Sequence, residues 1–298
     1  MASKLPPQRV AVTGASGLIG TALVGHLRSE GHTVQRFVRR PAKSADEISW
    51  DPISGKVDLA ALEGVDSVIH LAGAGVGDKR WTKKYREEIL NSRLLGTTAI
   101  ATAVAQVKPA SFISASAIGW YGETGNRAVV ESDRAGDDFL AVVCREWEAA
   151  ADLAGDVRTV KIRTGLVLDP TGGALGRMLP LFRLGLGGKL GNGKQWWSWI
   201  TMHDHIRAIC HLMESTISGP VNLTSPNPVT NQEFTAALAR AMHRPALFPA
   251  PAFALKIALG GFSTEILGSK KVLPEVLSTD GFNFDYPHVS KALELLVQ

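Results

Sequence analysis

The chain is predicted to be an α/β protein with a doubly wound parallel sheet and a smaller C-terminal α+β region. Near its start, a strand, a turn with three regularly spaced glycines and an apolar helix follow one another. Strand and helix patterns then alternate from residue 9 to about residue 165, which is typical of a parallel sheet. From residue 169 onward the chain is rich in glycine and the alternation is lost.

The first of these features is the segment Val10–Gly20, which reads V-A-V-T-G-A-S-G-L-I-G. Gly14 would allow a tight turn, Gly17 would let the backbone approach a pyrophosphate, and Gly20 would let the helix pack close to the strand. The N–H groups at the start of the helix would then bind phosphate. The alternative is a helix N-terminus without a ligand. The complete strand–turn–helix context favours a dinucleotide site.

A second strand is predicted over His32–Val38, and it ends in Arg39 and Arg40. In dinucleotide folds an acidic residue at this place binds the adenosine ribose, whereas arginine accommodates a 2′-phosphate. No Asp or Glu lies between Gly31 and Lys43. The sequence therefore predicts NADP rather than NAD. Alternatively, one or both arginines are solvated loop charges.

Two more strands are predicted over Ile48–Asp51 and Ser67–Leu71. The second runs into Ala72-Gly73-Ala74-Gly75, and small residues at the carboxyl end of a strand let a ligand lie against the backbone. His70 lies within this strand. It could act as a base, but a histidine inside an apolar strand is more often a packed core residue.

A long helix over Thr82–Val107 carries Glu88 and Arg93 in its first half, and a fifth strand covers Ser111–Ala115. Ser116 and Tyr121 follow that strand, at the sheet edge where open α/β sheets bind ligands. A helix capped by Asp137 or Asp138 and a strand over Arg158–Arg163 complete the alternation.

The change in character divides the chain into residues 1–168, a dinucleotide-binding domain, and residues 169–298, a mixed region with some elements returning to the first domain. We expect this second region to cover the ligand edge of the sheet. Trp196, Trp197 and Trp199 follow its glycine-rich loop and are interpreted as a pocket wall. His203-Asp204-His205 has no third ligand at helical spacing, so no metal site is predicted.

Composition excludes several classes of protein. The 298 residues contain 32 Lys and Arg against 28 Asp and Glu, and no basic run exceeds two residues, so nucleic-acid binding is not expected. Cys144 and Cys210 form no disulfide framework, which suits the reducing cytoplasm. The first residues lack the apolar core of a signal peptide, and no apolar run is long enough to span a membrane.

Six motifs in order give the chain a family resemblance. They are T-G-A-S-G-L-I-G at 13–20, H-L-A-G at 70–73, G-T at 96–97, S-A-S-A-I-G-W-Y-G at 114–122, R-T-G-L-V-L at 163–168 and W-I-T-M-H-D at 199–204. With them the chain resembles the extended short-chain dehydrogenase/reductase superfamily, which includes nucleotide-sugar epimerases and dehydratases. K-R-W at 79–81, S-R at 92–93, M-L-P-L-F-R-L-G-L-G-G at 178–188 and G-S-K-K-V-L-P at 268–274 are similar to its atypical "epimerase family" branch.

The resemblance implies a Rossmann-type fold and a small-molecule substrate, with a homodimer formed through the helices 82–107 and 138–154. It also implies a set of cofactor-binding residues, to which the two arginines after the second strand are added: Gly14, Ser16, Gly17, Leu18, Ile19, Arg39, Arg40, Leu71, Ala72, Glu88, Arg93, Ser114 and Val167.

The sequence departs from the superfamily at its catalytic pair. Members resemble one another in a Tyr-x-x-x-Lys pair on the helix after the fifth strand, where this chain has Leu140 and Cys144. Neither residue can move a proton as that pair would. Tyr121 and Ser116 are therefore the candidate catalytic residues, although Tyr121 could equally pack on the cofactor. Arg93 replaces the usual asparagine and could pair with a cofactor phosphate or a substrate carboxylate.

Two functional hypotheses follow. The first is an NADP-dependent oxidoreductase or epimerase-like enzyme acting on a small hydroxylated, nucleotide-sugar-like substrate. The second is an NADPH-binding sensor or regulatory protein without turnover, which would favour one conformation when the cofactor is bound. The missing Tyr/Lys pair favours the second hypothesis, and the Trp- and Arg-containing pocket favours the first.

Overall fold

A central parallel sheet organises the chain, whose computed structural model describes residues 6–297. The strands are β1 Arg9–Thr13, β2 Thr33–Val38, β3 Glu47–Asp51, β4 Lys56–Val57, β5 Ser67–His70, β6 Ser111–Ala117, β7 Ala128–Val129, β8 Thr159–Thr164, β9 Leu166–Asp169, β10 Trp196–Trp197, β11 Trp199–Thr201, β12 Gly219–Leu223, β13 Val229–Thr230 and β14 Lys271–Val272.

Helices flank the sheet and form much of the C-terminal region. They are α1 Leu18–Ser29, α2 Leu59–Leu62, α3 Lys83–Val107, α4 Phe139–Ala151, α5 Gly173–Arg183, α6 Met202–Glu214, α7 Asn231–Ala241, α8 Ala252–Leu259, α9 Ser263–Leu267, α10 Glu275–Thr279 and α11 Val289–Leu296. Among the described residues, no helix combines the length and apolar character needed to cross a bilayer.

The main sheet has the strand order β12-β8-β6-β5-β1-β2-β3-β4, with every pair parallel except β3–β4. The chain moves outward from β1 to β4 and then returns to place β5 on the other side of β1. This reversal creates a crevice at the carboxyl ends of β1 and β5, where open α/β sheets bind ligands. The predicted fold class is confirmed.

Alternation along the strands separates two hydrophobic layers. Val10 and Val12 of β1 face a core shared with α1 and α6, whereas Ala11 faces a core shared with α3. Ile113 and Phe112 of β6 divide in the same way. The sheet is thus buried on both faces, and its carboxyl edge is left for the site.

The region after residue 169 adds a strand to the main sheet and also forms a two-stranded antiparallel sheet of its own, β10 with β13. Its strand β12 pairs with β8 at one edge of the main sheet, with Gly219 opposite Val160 and Leu223 opposite Thr164. The Thr230–Glu233 capping box predicted for α7 is present in full. Trp197 and Trp199 are buried with Phe234 and Leu175 in a further core, separate from the two layers on the main sheet. The interpretation of these tryptophans as a pocket wall was therefore wrong for both.

Candidate functional site

The glycine turn between β1 and α1 is as tight as the sequence predicts. Gly14 has φ +65°, and a methyl group there would lie 2.9 Å from the carbonyl carbon of Leu71. A methyl group on Gly20 would overlap the carbonyl of Gly14, so only glycine lets α1 start this close to β1. Gly17 is the N-cap of α1 and has no side chain to cap it. The first N–H groups of the helix are therefore open to an anion.

The ends of β1 and β5 are joined through Thr13. Its hydroxyl accepts hydrogen bonds from the N–H groups of Leu71 at 3.0 Å and Ala72 at 3.2 Å. The hydroxyl proton then points to His70 Nδ1, 2.8 Å away. His70 must therefore carry its own proton on Nε2, which donates to Thr97 Oγ1 at 3.0 Å.

His70 is fully buried, and burial lowers its pKa to about 3. A neutral, doubly hydrogen-bonded imidazole is a structural element of the sheet. The interpretation of His70 as a packed core residue is confirmed.

The two arginines after β2 differ in their partners. Arg40 makes a paired contact with the buried carboxylate of Glu47, Nη1 to Oε2 at 2.8 Å and Nη2 to Oε1 at 2.7 Å. This pairing, with the Lys43 N–H, lowers the pKa of Glu47 to about 2. Arg39 is exposed and has no hydrogen-bond or ion-pair partner among residues 6–297. Its guanidinium is the available cation at this end of the crevice.

Arg93 lies at the same sheet edge on α3. Its Nη1 donates to the carbonyls of Ala74 at 2.9 Å and Ile89 at 3.1 Å, and its guanidinium stacks on Trp147 with 4.7 Å to the ring centroid. A methyl group on Gly73 would contact it at 3.4 Å. No carboxylate in the described part of the chain pairs with Arg93, and burial lowers its pKa. The site therefore contains a sequestered cation without a protein counter-ion.

Ser116 and Tyr121 are brought together by Arg163, a residue of β8. Arg163 forms a buried bidentate pair with Glu148, Nε to Oε1 at 2.8 Å and Nη2 to Oε2 at 3.0 Å. Ser116 donates to the same Glu148 Oε1 at 2.7 Å. Arg163 Nη1 donates to the Tyr121 hydroxyl at 3.0 Å, and that hydroxyl donates to Asn222 Oδ1 at 2.7 Å. Both candidate catalytic hydroxyls thus have protein partners.

Burial also governs the titration of Tyr121, which is 3% exposed. Loss of solvent raises its pKa to about 12, and the Arg163 charge opposes this shift only in part. Burial lowers the pKa of Arg163, but its bonds to Glu148 outweigh this and raise it. The tyrosine is therefore a neutral hydrogen-bonding group at ordinary pH.

A second buried carboxylate extends this network toward the C-terminus. Glu131 accepts from the backbone N–H of Asn222 at 2.9 Å, of Glu275 at 3.2 Å and of Val276 at 3.3 Å. Burial raises its pKa. The segment after β14 is thereby fixed to the loop that follows β7.

The positions of the missing catalytic pair are occupied by buried side chains on α4. Leu140 and Cys144 both lie against Gly119. The Cys144 thiol is directed at the Ala117 carbonyl, 3.6 Å away, and burial together with the Glu148 charge raises its pKa to about 12. A protonated thiol with these surroundings is a poor nucleophile.

The other predicted cofactor residues lie along the crevice or beside it. Ser16 is exposed in the turn, Ile19 is partly buried in α1, and Leu18 contacts Gly172 from the segment after β9. Val167 of β9 is partly buried and packs against the core that β1 shares with α1 and α6. Two residues stand apart from these: Glu88 is exposed on α3 and pairs with Lys79 at 3.4 Å, and Ser114 is buried inside β6 with an unpaired hydroxyl.

The C-terminal region covers the loop that follows β5. Phe262 packs on Trp81 with ring centroids 5.9 Å apart, and a methyl on Gly77 would lie 3.0 Å from the Phe262 ring. Arg177 of α5 donates to the Gly77 carbonyl at 2.8 Å. Residues after 169 therefore lie over the loop at the carboxyl end of β5, the same loop whose Ala74 carbonyl binds Arg93.

The two histidines that flank Asp204, His203 and His205, have different surroundings. His205 is buried against Thr164, and burial lowers its pKa to about 4. His203 instead contacts Asp285 at 2.7 Å, beside Asp204. Arg207 lies 3.0 Å from Asp204 and 3.1 Å from Asp285, so one guanidinium already pairs with both carboxylates.

Fold and site together define a Rossmann-type dinucleotide-binding protein. A glycine cradle that a Cβ would fill, an uncapped helix start and a free arginine after β2 fit a phosphorylated nicotinamide dinucleotide. Comparison with known proteins agrees: the model of the NAD-dependent epimerase/dehydratase family matches residues 10–224, and a domain of unknown function, DUF1731, matches residues 250–296. The chain belongs to the epimerase/dehydratase family, as the motifs predicted.

Relatives match over nearly the whole chain. An epimerase family protein of Mycobacterium leprae is 43% identical over 289 residues, covering 95% of this chain and 94% of the relative. The crystal structure of the human epimerase family protein SDR39U1 with NADPH superposes with a TM-score of 0.89 at 33% identity, covering 97% of this chain and 98% of that one. A nucleoside-diphosphate sugar epimerase structure from Corynebacterium glutamicum has a TM-score of 0.76 at 35% identity, covering 97% and 58%.

Sequence reasoning missed four residues of the site: Glu47, Glu148, Arg163 and Asn222. The sequence analysis places Arg163 at the end of a predicted strand and at the start of a family motif, and neither pattern indicates its ion pair. A charged residue at the end of an apolar strand is the one signal that could have indicated a buried pair.

Proposed function

We propose that this chain binds NADPH along the carboxyl edge of the sheet. The observation that carries the proposal is the unpaired state of the groups that would meet phosphate: the first N–H groups of α1 and the Arg39 guanidinium. NADPH is also the ligand in the human SDR39U1 crystal structure. In this arrangement the α1 N-terminus binds the pyrophosphate and Arg39 binds the 2′-phosphate, while Arg40 supports the loop through Glu47.

Fluorescence titration with NADPH and NADH tests this assignment. Arg39→Met should weaken NADPH binding by about 10- to 100-fold, the value of one or two charge-assisted hydrogen bonds, and leave NADH binding unchanged. Arg40→Met is the matched control and should cost less, because Arg40 is engaged by Glu47. Equal losses for both cofactors, or a larger loss from Arg40→Met, would contradict the assignment.

We propose further that the protein is an oxidoreductase or epimerase-like enzyme with a small hydroxylated substrate that carries a carboxylate or phosphate. Arg93 supports the anionic group, because a largely sequestered guanidinium without a counter-ion is a strong anion site. A bound nicotinamide supplies hydride transfer; the chain's own residues bind, orient and exclude water. We assign residues 1–168 to the cofactor and 169–298 to covering the substrate.

The roles of Ser116 and Tyr121 are also a proposal. The sequence makes them the candidates for proton transfer, but their bonds to Glu148, Arg163 and Asn222 support a positioning role for both. In that role they hold the Arg163–Glu148 pair in place beneath the end of β6. The proton that a carbonyl substrate gains, or that an alcohol substrate loses, would then be exchanged with water.

The second candidate function is an NADPH-binding regulatory protein without turnover. It is favoured by one observation: the described residues at the places of the Tyr/Lys pair are Leu140 and a Cys144 whose pKa is raised to about 12. Cofactor occupancy would then act by favouring one arrangement of the covering segment around Phe262.

A screen for NADPH oxidation, with product analysis for epimerised sugar nucleotides, separates the two candidates, because an epimerase returns its hydride and leaves no net oxidation of the cofactor. The panel contains carbonyl compounds with and without a carboxylate or phosphate, including sugar nucleotides. The enzyme proposal expects turnover restricted to anionic substrates, lost in Arg93→Met and partly retained in Arg93→Lys, with unchanged NADPH affinity. No turnover on any compound, together with protease protection near Phe262 by NADPH, supports the regulatory protein. Loss of NADPH affinity in Arg93→Met would assign the arginine to the cofactor instead.

Two further points remain proposals. A homodimer through α3 and α4 would bury Leu95, which is 41% exposed on α3, and Leu95→Glu should shift the sedimentation coefficient to that of a monomer. A reducing compartment, the cytoplasm, suits the free thiols of Cys144 and Cys210.

A further inference from the structure

A group of large apolar side chains in the C-terminal region is exposed to solvent. We call this group the apolar-basic face, and its apolar members are between 51% and 73% exposed: Leu181, Leu184, Leu186, Leu247, Phe248, Phe253 and Ile257. Single exposed apolar residues are ordinary, but a contiguous group marks an interaction site.

Three local structures bring these residues together. The first is the end of α5, which closes as a Schellman motif: Leu186 N donates to Leu181 O and Gly185 N to Phe182 O, both at 2.9 Å, with Gly185 at φ +73°. This motif places the residues at its two ends in contact. Leu181 and Leu186 therefore form one apolar unit at the helix end.

The second structure is a short ladder between residues 187–191 and 248–250. Phe248 N donates to Gly187 O at 3.2 Å and Ala250 N to Lys189 O at 2.9 Å. A methyl on Gly188 would overlap the Phe248 carbonyl, so the two segments touch along their backbones. Leu186 and Phe248 are thus neighbours on one surface.

The third structure is α8, which follows this ladder directly. None of its residues is buried, although its sequence A-F-A-L-K-I-A-L is almost wholly apolar. Phe253 and Ile257 are four residues apart and so lie on the same side of the helix, with Lys256 next to them. Half of the helix is partly buried, and its exposed side offers apolar surface to a binding partner.

The charges around these structures have a single sign. Residues 170–203 and 234–264 contain seven Lys and Arg and no Asp or Glu. Arg177 pairs with Asp78. The other six make no ion pair with any residue that the structure describes: Arg183, Lys189, Lys194, Arg240, Arg244 and Lys256. This excess of unpaired cations favours an anionic partner.

We propose that the apolar-basic face binds the surface of an anionic lipid bilayer. Protruding leucine and phenylalanine side chains flanked by Lys and Arg suit insertion between headgroups, and the inner leaflet facing the cytoplasm is anionic. A second copy of the chain is disfavoured, because it would set six unpaired cations against six more. The sequence analysis predicted no membrane partner because no apolar run is long enough to span a bilayer. Binding to the bilayer surface does not require such a run.

Vesicle flotation of the full chain tests the proposal. One set of vesicles is phosphatidylcholine, and the other is an equal mixture of phosphatidylcholine and phosphatidylserine. The protein should float only with the mixed vesicles, and less so at high salt. Lys256→Glu should weaken binding by at least about fivefold, the effect of losing one surface cation, and Phe253→Asp should abolish flotation.

The matched controls are Ile53→Asp and Leu153→Asp, which place the same charge at exposed apolar residues outside the face, 82% and 52% exposed. They should float like the wild type, and thermal unfolding should show that all four variants are folded. Absence of flotation with either vesicle, or equal flotation with both, overturns the proposal. A wild-type dimer in sedimentation velocity that Phe253→Asp dissociates would assign the face to a second copy instead.

Discussion

The first N–H groups of α1 and the Arg39 guanidinium have no partner among the described residues, whereas the donors of Ser116, Tyr121 and Arg163, around the ends of β6 and β8, are used within the protein. Both regions lie at the carboxyl edge of the same sheet and both carry family motifs. The first is built to receive phosphate. In the second, the polar groups bind one another and stabilise the fold. A family motif at the ligand-binding edge of the sheet therefore need not leave its polar groups free for a ligand.

The largest effect on stability should come from the network of Ser116, Tyr121 and Arg163, whose donors are used within the protein. Arg163→Met removes one partner of a buried ion pair and leaves Glu148 uncompensated, so we expect a loss of about 3–5 kcal/mol in the free energy of unfolding. Urea denaturation measures it. Arg127→Met breaks the exposed pair with Asp133 and should cost at most about 1 kcal/mol. Similar losses for both variants would remove the contrast between the two regions.

Substitutions at two glycines of α1 test the β1–α1 turn. Gly20→Ala would drive a methyl into the Gly14 carbonyl and should destabilise the protein by about 1–3 kcal/mol, with weaker NADPH binding because the turn shifts. At Gly25 a methyl meets nothing within 4 Å, so Gly25→Ala should stabilise by about 0.5–1 kcal/mol. Thermal unfolding and NADPH titration check both variants, and a harmless Gly20→Ala would disprove the tight turn.

Acid should destabilise the sheet through two histidines. Burial lowers the folded-state pKa of His70 to about 3 and of His205 to about 4, while the unfolded chain binds these protons near pH 6.5. Their contribution is complete above pH 6.5 and falls by about 1.4 kcal/mol per histidine for each pH unit below it. NMR titration of the imidazole protons should show neither residue protonating between pH 8 and pH 5. A midpoint near 6.5 for His70 would contradict the assigned tautomer.

Loss of the Tyr121 hydroxyl should have a smaller effect than loss of the Arg163–Glu148 pair. Tyr121→Phe removes one hydroxyl that bonds to Arg163 and Asn222, and we expect a stability loss of about 1–2 kcal/mol with unchanged NADPH affinity. If the enzyme proposal holds, kcat should change little. A drop of several orders of magnitude in kcat at constant stability would make Tyr121 a catalytic residue. The polar groups after β6 would then act on a ligand and not only within the protein.

Local patterns were enough to predict the fold and the phosphate-binding turn. The glycine spacing, the alternating elements and the capping box of α7 depend on residues within a few positions of one another. The partners of Arg40 and Tyr121 depend on tertiary structure. Glu47 reaches Arg40 because β3 pairs with β2, and Asn222 reaches Tyr121 across 101 residues because β12 returns to the sheet. No neighbouring sequence signals such contacts.

Glu131 has a consequence for how the chain is made. Its carboxylate is satisfied by the amides of Glu275 and Val276, which are 144 and 145 residues further along. On the ribosome this carboxylate therefore lacks these two partners, and the loop after β7 is not fixed by them, until almost the entire polypeptide has emerged. A nascent chain arrested before residue 275 should remain open to protease around Glu131.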